Sequence, residues 1–288
     1  MRRRSKLGKR LAPYALSAPG AFWLGLFFLV PIAAMLSVSL QTGSIDTGFR
    51  MTWHFAEYPS AISRYHRFFL RSLQYGGTAT LADLVVAYPM AYWIAFHGGR
   101  RKTTFLLLLL LPFFVSFVIR SVAWQFILSD EGIVLGTLKS WHLLPSGFHV
   151  LDTGPAVVAG IAYNFLPFMA LPLYVSLEKI DRSVVAAAGD LYASKRQTFL
   201  RVILPLSVPG IFAGVLLTFV PAAGDFVNAS ILGGPFNGMI GNIIQSEYLQ
   251  NFDYPRASAL AFTLMIGMVV GIAAYARVLG TREIEESV

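Results

Sequence analysis

The sequence contains no cysteine. Disulfides, zinc–thiolate sites and cysteine nucleophiles are thereby excluded, and redox compartment cannot be read. Its five histidines (His54, His66, His97, His142 and His149) never fall at the H-x-x-x-H spacing of a helical metal pair. They read as interfacial or loop residues. Charge is the other scarcity: only 13% of residues are charged, against 56% that are apolar. That is about half the charged share of an ordinary soluble protein, too little to cover a soluble domain of 288 residues. The same composition excludes disorder, collagen and coiled coil. In place of charge stand apolar stretches too long for a soluble core helix. The chain reads as an all-α integral membrane protein.

A window the length of a bilayer crossing picks out six transmembrane helices: Gly20–Leu40, Ser72–Phe96, Thr104–Leu128, Pro155–Leu177, Pro209–Leu232 and Ala257–Ala276. With a cytoplasmic N-terminus, 16 of the 23 lysines and arginines lie inside, six outside and one within a span. The positive-inside rule then places both termini in the cytoplasm. The implied organisation is a basic cytoplasmic segment at 1–19, a six-span domain at 20–280 and a tail at 281–288. That placement, rather than nucleic-acid binding, accounts for the net charge of +8. Reading Arg2–Leu40 as a cleaved signal peptide fails on two counts. The apolar region is too long, and Pro31 stands where a small-residue cleavage site belongs. It is expected to be retained as the first span.

Three hydrophilic segments are long enough to act. Gln41–Arg71 is outside and carries Trp53, Tyr58 and Tyr65. Gly233–Arg256, also outside, opens on the helix breakers Gly233, Gly234 and Pro235. Its helical pattern from Met239 to Leu249 puts Ile240, Ile243 and Ile244 on one face, for core packing or for lying over a pathway. Glu178–Pro205 is cytoplasmic. There Asp181 or Ser183 can cap a helix that the alanine run favours. A second helical pattern, Lys195–Leu204, is expected to end before Pro205, which disfavours α conformation in the residue ahead of it. Two short helices on the cytoplasmic side have no evident use unless they touch a partner.

This loop resembles the one shared by permease subunits of bacterial ATP-binding-cassette importers, E-A-A-x-x-x-G followed by I-x-L-P. Ala187 and Ala188 match the alanines, and Val202-Ile203-Leu204-Pro205 resembles the ending. Ala186 stands in place of the glutamate and Tyr192 in place of the glycine. The resemblance extends along the chain and narrows to the first permease of the spermidine/putrescine-type branch. It is carried by Leu111–Arg120 with Ala123-Trp124, by Tyr163–Asp181, and by Pro221–Val227, Leu232–Gly234 and Met239–Asn242. It implies a type I importer permease in the bacterial inner membrane, without chemistry of its own, that couples ATPase closure to alternating access. The implied partners are a second homologous permease, an ATPase dimer, an extracytoplasmic solute-binding protein and membrane lipid. ATP and magnesium would sit on the ATPase chains, since this one has no G-x-x-x-x-G-K-[ST] stretch and no expected cofactor or metal. The resemblance assigns Ala186, Ala187, Ala188, Asp190, Leu191, Tyr192, Ala193 and Ser194 to ATPase coupling. Ala186 removes a salt bridge, so docking is expected to rest on shape and apolar contact. Tyr192 is expected in helical or extended conformation, positive φ being unfavourable for it, with its ring available to the ATPase.

Charged groups inside a bilayer are functional candidates. At about 1.5 Å per residue, Asp225, Arg120, Asn164 and Asp83 fall about 10, 12, 14 and 16 Å below the outer edge, in one layer. Arg120 and Asp225 are expected to pair, to line the solute pathway, or both. Asp83 reads as a helix–helix hydrogen-bonding residue or a pathway group, and Asn164, flanked by Pro167 and Pro172, as a polar group of the pathway. Trp124, Tyr163 and Phe226 either pack or offer rings to a cation. A membrane-embedded enzyme would need a nucleophile–base set or metal cluster, and the spans hold only scattered charges. A secondary transporter would show repeated halves, and spans one to three share no motif with four to six. The alternative within the resembled family is a permease for another small solute.

Overall fold

The computed structural model describes residues 17–145 and 147–285, with side chains as far as Arg277. Most of the expected basic segment (1–16) and the end of the expected tail (286–288) lie outside the described residues. In chain order the elements are α1 (Ser17–Ser39), β1 (Gln41–Ser44), β2 (Gly48–Met51), α2 (Glu57–His97), α3 (Gly99–Phe114), α4 (Phe117–Leu128) and α5 (Ile133–Ser140). There follow α6 (Gly154–Glu178), α7 (Arg182–Asp190), α8 (Lys195–Leu206), α9 (Val208–Ala223), α10 (Val227–Leu232), α11 (Ile240–Leu249) and α12 (Tyr254–Glu285).

Four of these, α1, α2, α6 and α12, are long and apolar enough to cross a membrane unaided, and two bent pairs bring the number to six if each is one span. The expected third span, Thr104–Leu128, is not continuous. Pro112 tightens its last turn, Val115 is extended (φ −88°, ψ 140°), and the chain turns by 89° between α3 and α4. Proline cannot donate to the preceding turn, so a break there is the cheap solution. The expected fifth span, Pro209–Leu232, is broken at Gly224–Phe226 between α9 and α10. The helix after Lys195 does not stop before Pro205, as the sequence suggested. Its turn Phe199–Ile203 widens to a π-helix, and the chain continues helical through Pro205 to Leu206, where it bends by 60° into α9. A widened turn moves the carbonyl with which the proline ring would otherwise collide.

Packing divides the chain into two compact units, Met1–Arg64 with Ser246–Thr263, and Tyr65–Gln245 with Leu264–Val288. In the first, Gln41–Arg71 is not merely a hydrophilic connection. Its start is an antiparallel hairpin with Gln41 opposite Met51 and Ser44 opposite Gly48. Its later part opens α2 at Glu57, fifteen residues ahead of the expected span. Arg256 Nε bonds Glu57 Oε1 at 2.8 Å and its Nη1 lies 3.0 Å from Asp253 Oδ2. Ser39 and Tyr58 share a 2.6 Å hydroxyl bond.

In the second unit α9 runs along α6 on a face of small residues, Gly210, Gly214, Thr218 and Ala222, spaced one turn apart. A Cβ at Gly214 would stand 2.7 Å from Met169 Sδ, and one at Gly210 2.8 Å from the Pro172 carbonyl. Only glycine lets the two backbones come this close. One apolar cluster gathers Ala79, Val157, Ile161, Phe165, Leu232 and Met239; another gathers Ala87, Ala91, Met169, Leu173, Leu177 and Ile203. On α2 the buried positions Ala79, Asp83, Ala87, Ala91 and Ala95 recur every fourth residue, with Asp83 between the two clusters. Ile240 is fully buried, the core use of the Met239–Leu249 pattern, and its N–H reaches Ser72 Oγ at 2.9 Å.

Candidate functional site

The break between α9 and α10 is built by Asp225. Its Oδ1 accepts the backbone N–H groups of Val227 (2.8 Å) and Asn228 (3.0 Å), which opens α10 as an N-cap would. Its Oδ2 accepts Asn228 Nδ2 at 2.5 Å. Asn228 Oδ1 in turn accepts Ser121 Oγ from α4 (2.8 Å) and Asn164 Nδ2 from α6 (3.1 Å). Four side chains, from three helices and the break itself, thus form one buried polar chain. The sequence reading missed Ser121 and Asn228. The three-residue spacing of Asp225 and Asn228 at a helix start was the available signal for the second.

Arg120 does not pair with Asp225. The carboxylate already takes three donors, and Arg120 Nε and Nη1 are buried with no hydrogen-bond partner. The guanidinium lies instead 5.3 Å from the centroid of Phe113 and 5.7 Å from that of Phe117, whose ring faces attract it. Those rings flank the break between α3 and α4, so the bend places them around the cation. Asp83 makes none of the helix–helix hydrogen bonds expected of it, and its Oδ2 is buried without a partner. Asn164 Oδ1 and Thr218 Oγ1 are likewise unpartnered. Trp124 and Tyr163 meet edge to face at 5.4 Å, a packing contact. Phe226 is 39% exposed and accepts Asn242 Nδ2 on its carbonyl at 2.9 Å. The four polar groups of the expected layer therefore do not form one cluster. Asn164 and Asp225 are linked through Asn228, while Arg120 and Asp83 have no bond to them. Among the described residues no group of acidic or histidine side chains could hold a metal.

The Glu178–Pro205 loop is determined by local chemistry. Asp181 accepts the Ser183 N–H at 2.8 Å and opens α7; Ser194 and Gln197 form a reciprocal capping box that opens α8. Between them the chain reverses in a Schellman motif. Ala193 N–H bonds the Ala188 carbonyl at 3.0 Å and Tyr192 N–H that of Gly189 at 2.9 Å. That motif requires a left-handed residue, and Tyr192 takes it, with φ 60°. The expectation of a helical or extended Tyr192 is overturned: two backbone hydrogen bonds outweigh the penalty at one residue. Tyr192 is 97% exposed and Leu191 81%. The loop's alanines are exposed as well, apart from the half-buried Ala188 and Ala193. It therefore presents a small, smooth helix with an aromatic knuckle.

The Ser183 backbone N–H holds the Asp181 carboxyl below the ordinary carboxylate range. A depressed value means that the cap contributes fully above the ordinary carboxylate pKa and is lost as pH falls through the depressed one. Asp181→Ala should accordingly speed amide exchange at Ser183 and Val184 several-fold at neutral pH. Asp181→Asn, an equally good cap, should leave it near the wild-type rate. Equal exchange in the alanine variant and wild type would show that the cap does nothing.

Three comparisons bear on this arrangement. The family of binding-protein-dependent transport system inner membrane components matches residues 79–280. The spermidine/putrescine transport system permease protein PotB of Escherichia coli (strain K12) is 36% identical over 256 residues, covering 88% of this chain and 93% of that protein. PotB of Haemophilus influenzae is 36% identical over 263 residues, covering 88% and 90%. A chain of a solved bacterial alginate ABC transporter, in complex with alginate pentasaccharide-bound periplasmic protein, superposes with a TM-score of 0.66. It is 21% identical and the match covers 98% of each chain, a likeness of fold.

Proposed function

This chain belongs to the binding-protein-dependent transport system inner membrane components, and from that premise we propose that it passes small polyamines, of the spermidine and putrescine kind, through an ATP-driven importer. It is a multi-pass inner-membrane transport component with an all-α permease fold, not an enzyme. The likeness to the spermidine/putrescine permeases over most of the chain carries the choice of solute. Six crossings with both termini cytoplasmic follow if each bent pair is one span, an arrangement the basic residues favour. The partners are a second permease, a dimer of ATPases that bind ATP and magnesium, and a solute-binding protein outside. Exposed Leu191 and Tyr192, at the end of α7, support docking of the Glu178–Pro205 loop on the ATPase by apolar contact.

Within the membrane, Asp225 holds open the break between α9 and α10, and Phe226 lies next to it at the start of α10. Asn164 and Asp83 offer unpartnered oxygens to an ammonium group, with Trp124 and Tyr163 as aromatic neighbours of the path. Arg120 acts in the opposite sense. An uncompensated cation in the passage repels a polyamine at rest, as fixed charges do in selective pores. The test is uptake of labelled spermidine by cells lacking other polyamine importers and supplied with this chain and its partners. Saturable uptake that stops when the ATPase is inactivated is expected. Uptake driven by a proton gradient without the ATPase, or import of another solute alone by the assembled complex, would overturn the reading.

A further inference from the structure

We propose that Arg182 is a positioning residue that fastens the coupling helix α7 to the C-terminal end of α2, so that α2 receives the movement imposed by the ATPases. This rests on reading Glu178–Pro205 as the coupling loop. Arg182 is the first residue of α7, and a cation in a helix's first turn opposes the dipole of that helix. The residue therefore does not serve α7. At the C-terminal end of α2 the same charge is favourable. Arg182 Nη2 donates to the Ala95 carbonyl at 2.6 Å, one of the last four carbonyls of a helix that ends at His97. Its guanidinium carbon also stands 3.9 Å from the centroid of the Phe96 ring. A planar cation that donates and stacks at once is fixed in orientation as well as in distance.

The rest of the loop is held by the last turns of α2 and the start of α3. At the end of α6, three residues ahead of the α7 cap Asp181, Glu178 takes Lys102 Nζ at 2.6 Å and 2.8 Å on its two oxygens; Lys102 stands at the start of α3, five residues after the end of α2. On the far side of the loop Phe199 lies edge-on to Tyr88 (5.7 Å) and Tyr92 (6.0 Å) of α2. Tyr88 OH and Ser207 Oγ share a 2.8 Å bond. The loop is thus held at entry and exit by α2, with Arg182 as its polar contact nearest the docking tip.

The complete reconstituted transporter tests this. In Arg182→Gln the solute imported per ATP hydrolysed should fall at least about fivefold, the scale of a lost coupling contact, while the ATPase is still retained in pull-down. Arg182→Lys, which restores charge but not the planar stack, should recover part of it. Unchanged import per ATP in Arg182→Gln overturns the proposal, as does parallel loss of ATPase retention in both variants. Because the chain has no cysteine of its own, a second arm is available. Phe96→Cys with Arg182→Cys, bridged by a bifunctional thiol reagent in an otherwise thiol-free transporter, should regain import per ATP on bridging. Failure to regain it counts against the fastening. A wild-type chain that retains no ATPase would instead overturn the permease reading itself, whatever Arg182 does.

Discussion

Replacing Tyr192 by glycine should stabilise the Glu178–Pro205 loop by about 1 kcal/mol and weaken its hold on the ATPase. The first effect follows from φ 60° at Tyr192, since a left-handed residue with a Cβ costs about 1–2 kcal/mol. Glycine removes that cost and leaves both Schellman hydrogen bonds in place. The second effect follows from exposure. The ring is almost wholly free of contacts within the chain, so the backbone hydrogen bonds hold the turn but no contact of the side chain rewards having a tyrosine there. A strained, exposed tyrosine is what an intermolecular contact would retain. Tyrosines at the centre of an interface are commonly worth about 2 kcal/mol or more, so ATPase retention should fall at least about tenfold. Tyr192→Ala separates the two effects, because it deletes the ring but keeps a Cβ; retention should fall as far, with no slowing of amide exchange in α7. Undiminished retention in the glycine variant would remove the ring from the docking surface.

Arg120→Met should leave yield and melting temperature unchanged or raised while making the transporter leaky. Arg120 is 6% exposed, with Nε and Nη1 unpartnered and the ring faces of Phe113 and Phe117 beside it. Replacing an uncompensated buried charge by an apolar side chain of similar length is commonly neutral or stabilising. The charge itself opposes a cation. At about 8 Å and an effective dielectric near 20 the repulsion is about 2 kcal/mol per ammonium, about thirtyfold in rate. Spermidine efflux from proteoliposomes without ATP should therefore rise by about that factor. A lower melting temperature with no leak would return Arg120 to a structural part. Asp225→Asn is the counterpart: the amide oxygen can still take the two backbone N–H groups and cap α10, the bond from Asn228 Nδ2 is lost, and with the attraction for the ammonium group removed uptake should fall by more than the amount of assembled transporter.

The long crossings were legible because apolar length alone decides them, as in α2 and α6. The breaks were not. A bilayer-length window averages over Val115 and Ser116, although Pro112 was in plain view. The hairpin of Gln41–Met51 escaped because its few residues are polar and flexible in type, and only pairing defines it. Asp225 was found as a charge, but its use as a cap depends on Asn228, which no search for charged residues would single out. Tyr192 was misjudged because a single-residue preference was weighed without the six-residue hydrogen-bond pattern around it. Arg182 left no signal, since its partner is the backbone of Ala95 and a carbonyl carries no residue type.

Ion pairs of this chain stand at the ends of helices or in connections. Among them are Lys102–Glu178, Lys139–Asp130 and Arg256 with Glu57 and Asp253. Ionic strength therefore acts on this protein selectively. Screening shortens to about 3 Å at 1 M salt and reaches partly exposed pairs, but it does not enter the small-residue contact between α6 and α9. A salt titration should loosen the grip of Glu178 on Lys102 well before the helices part. Coupling and integrity would then fail at separate salt concentrations, and the gap between them would give a window in which an assembled transporter hydrolyses ATP without moving solute.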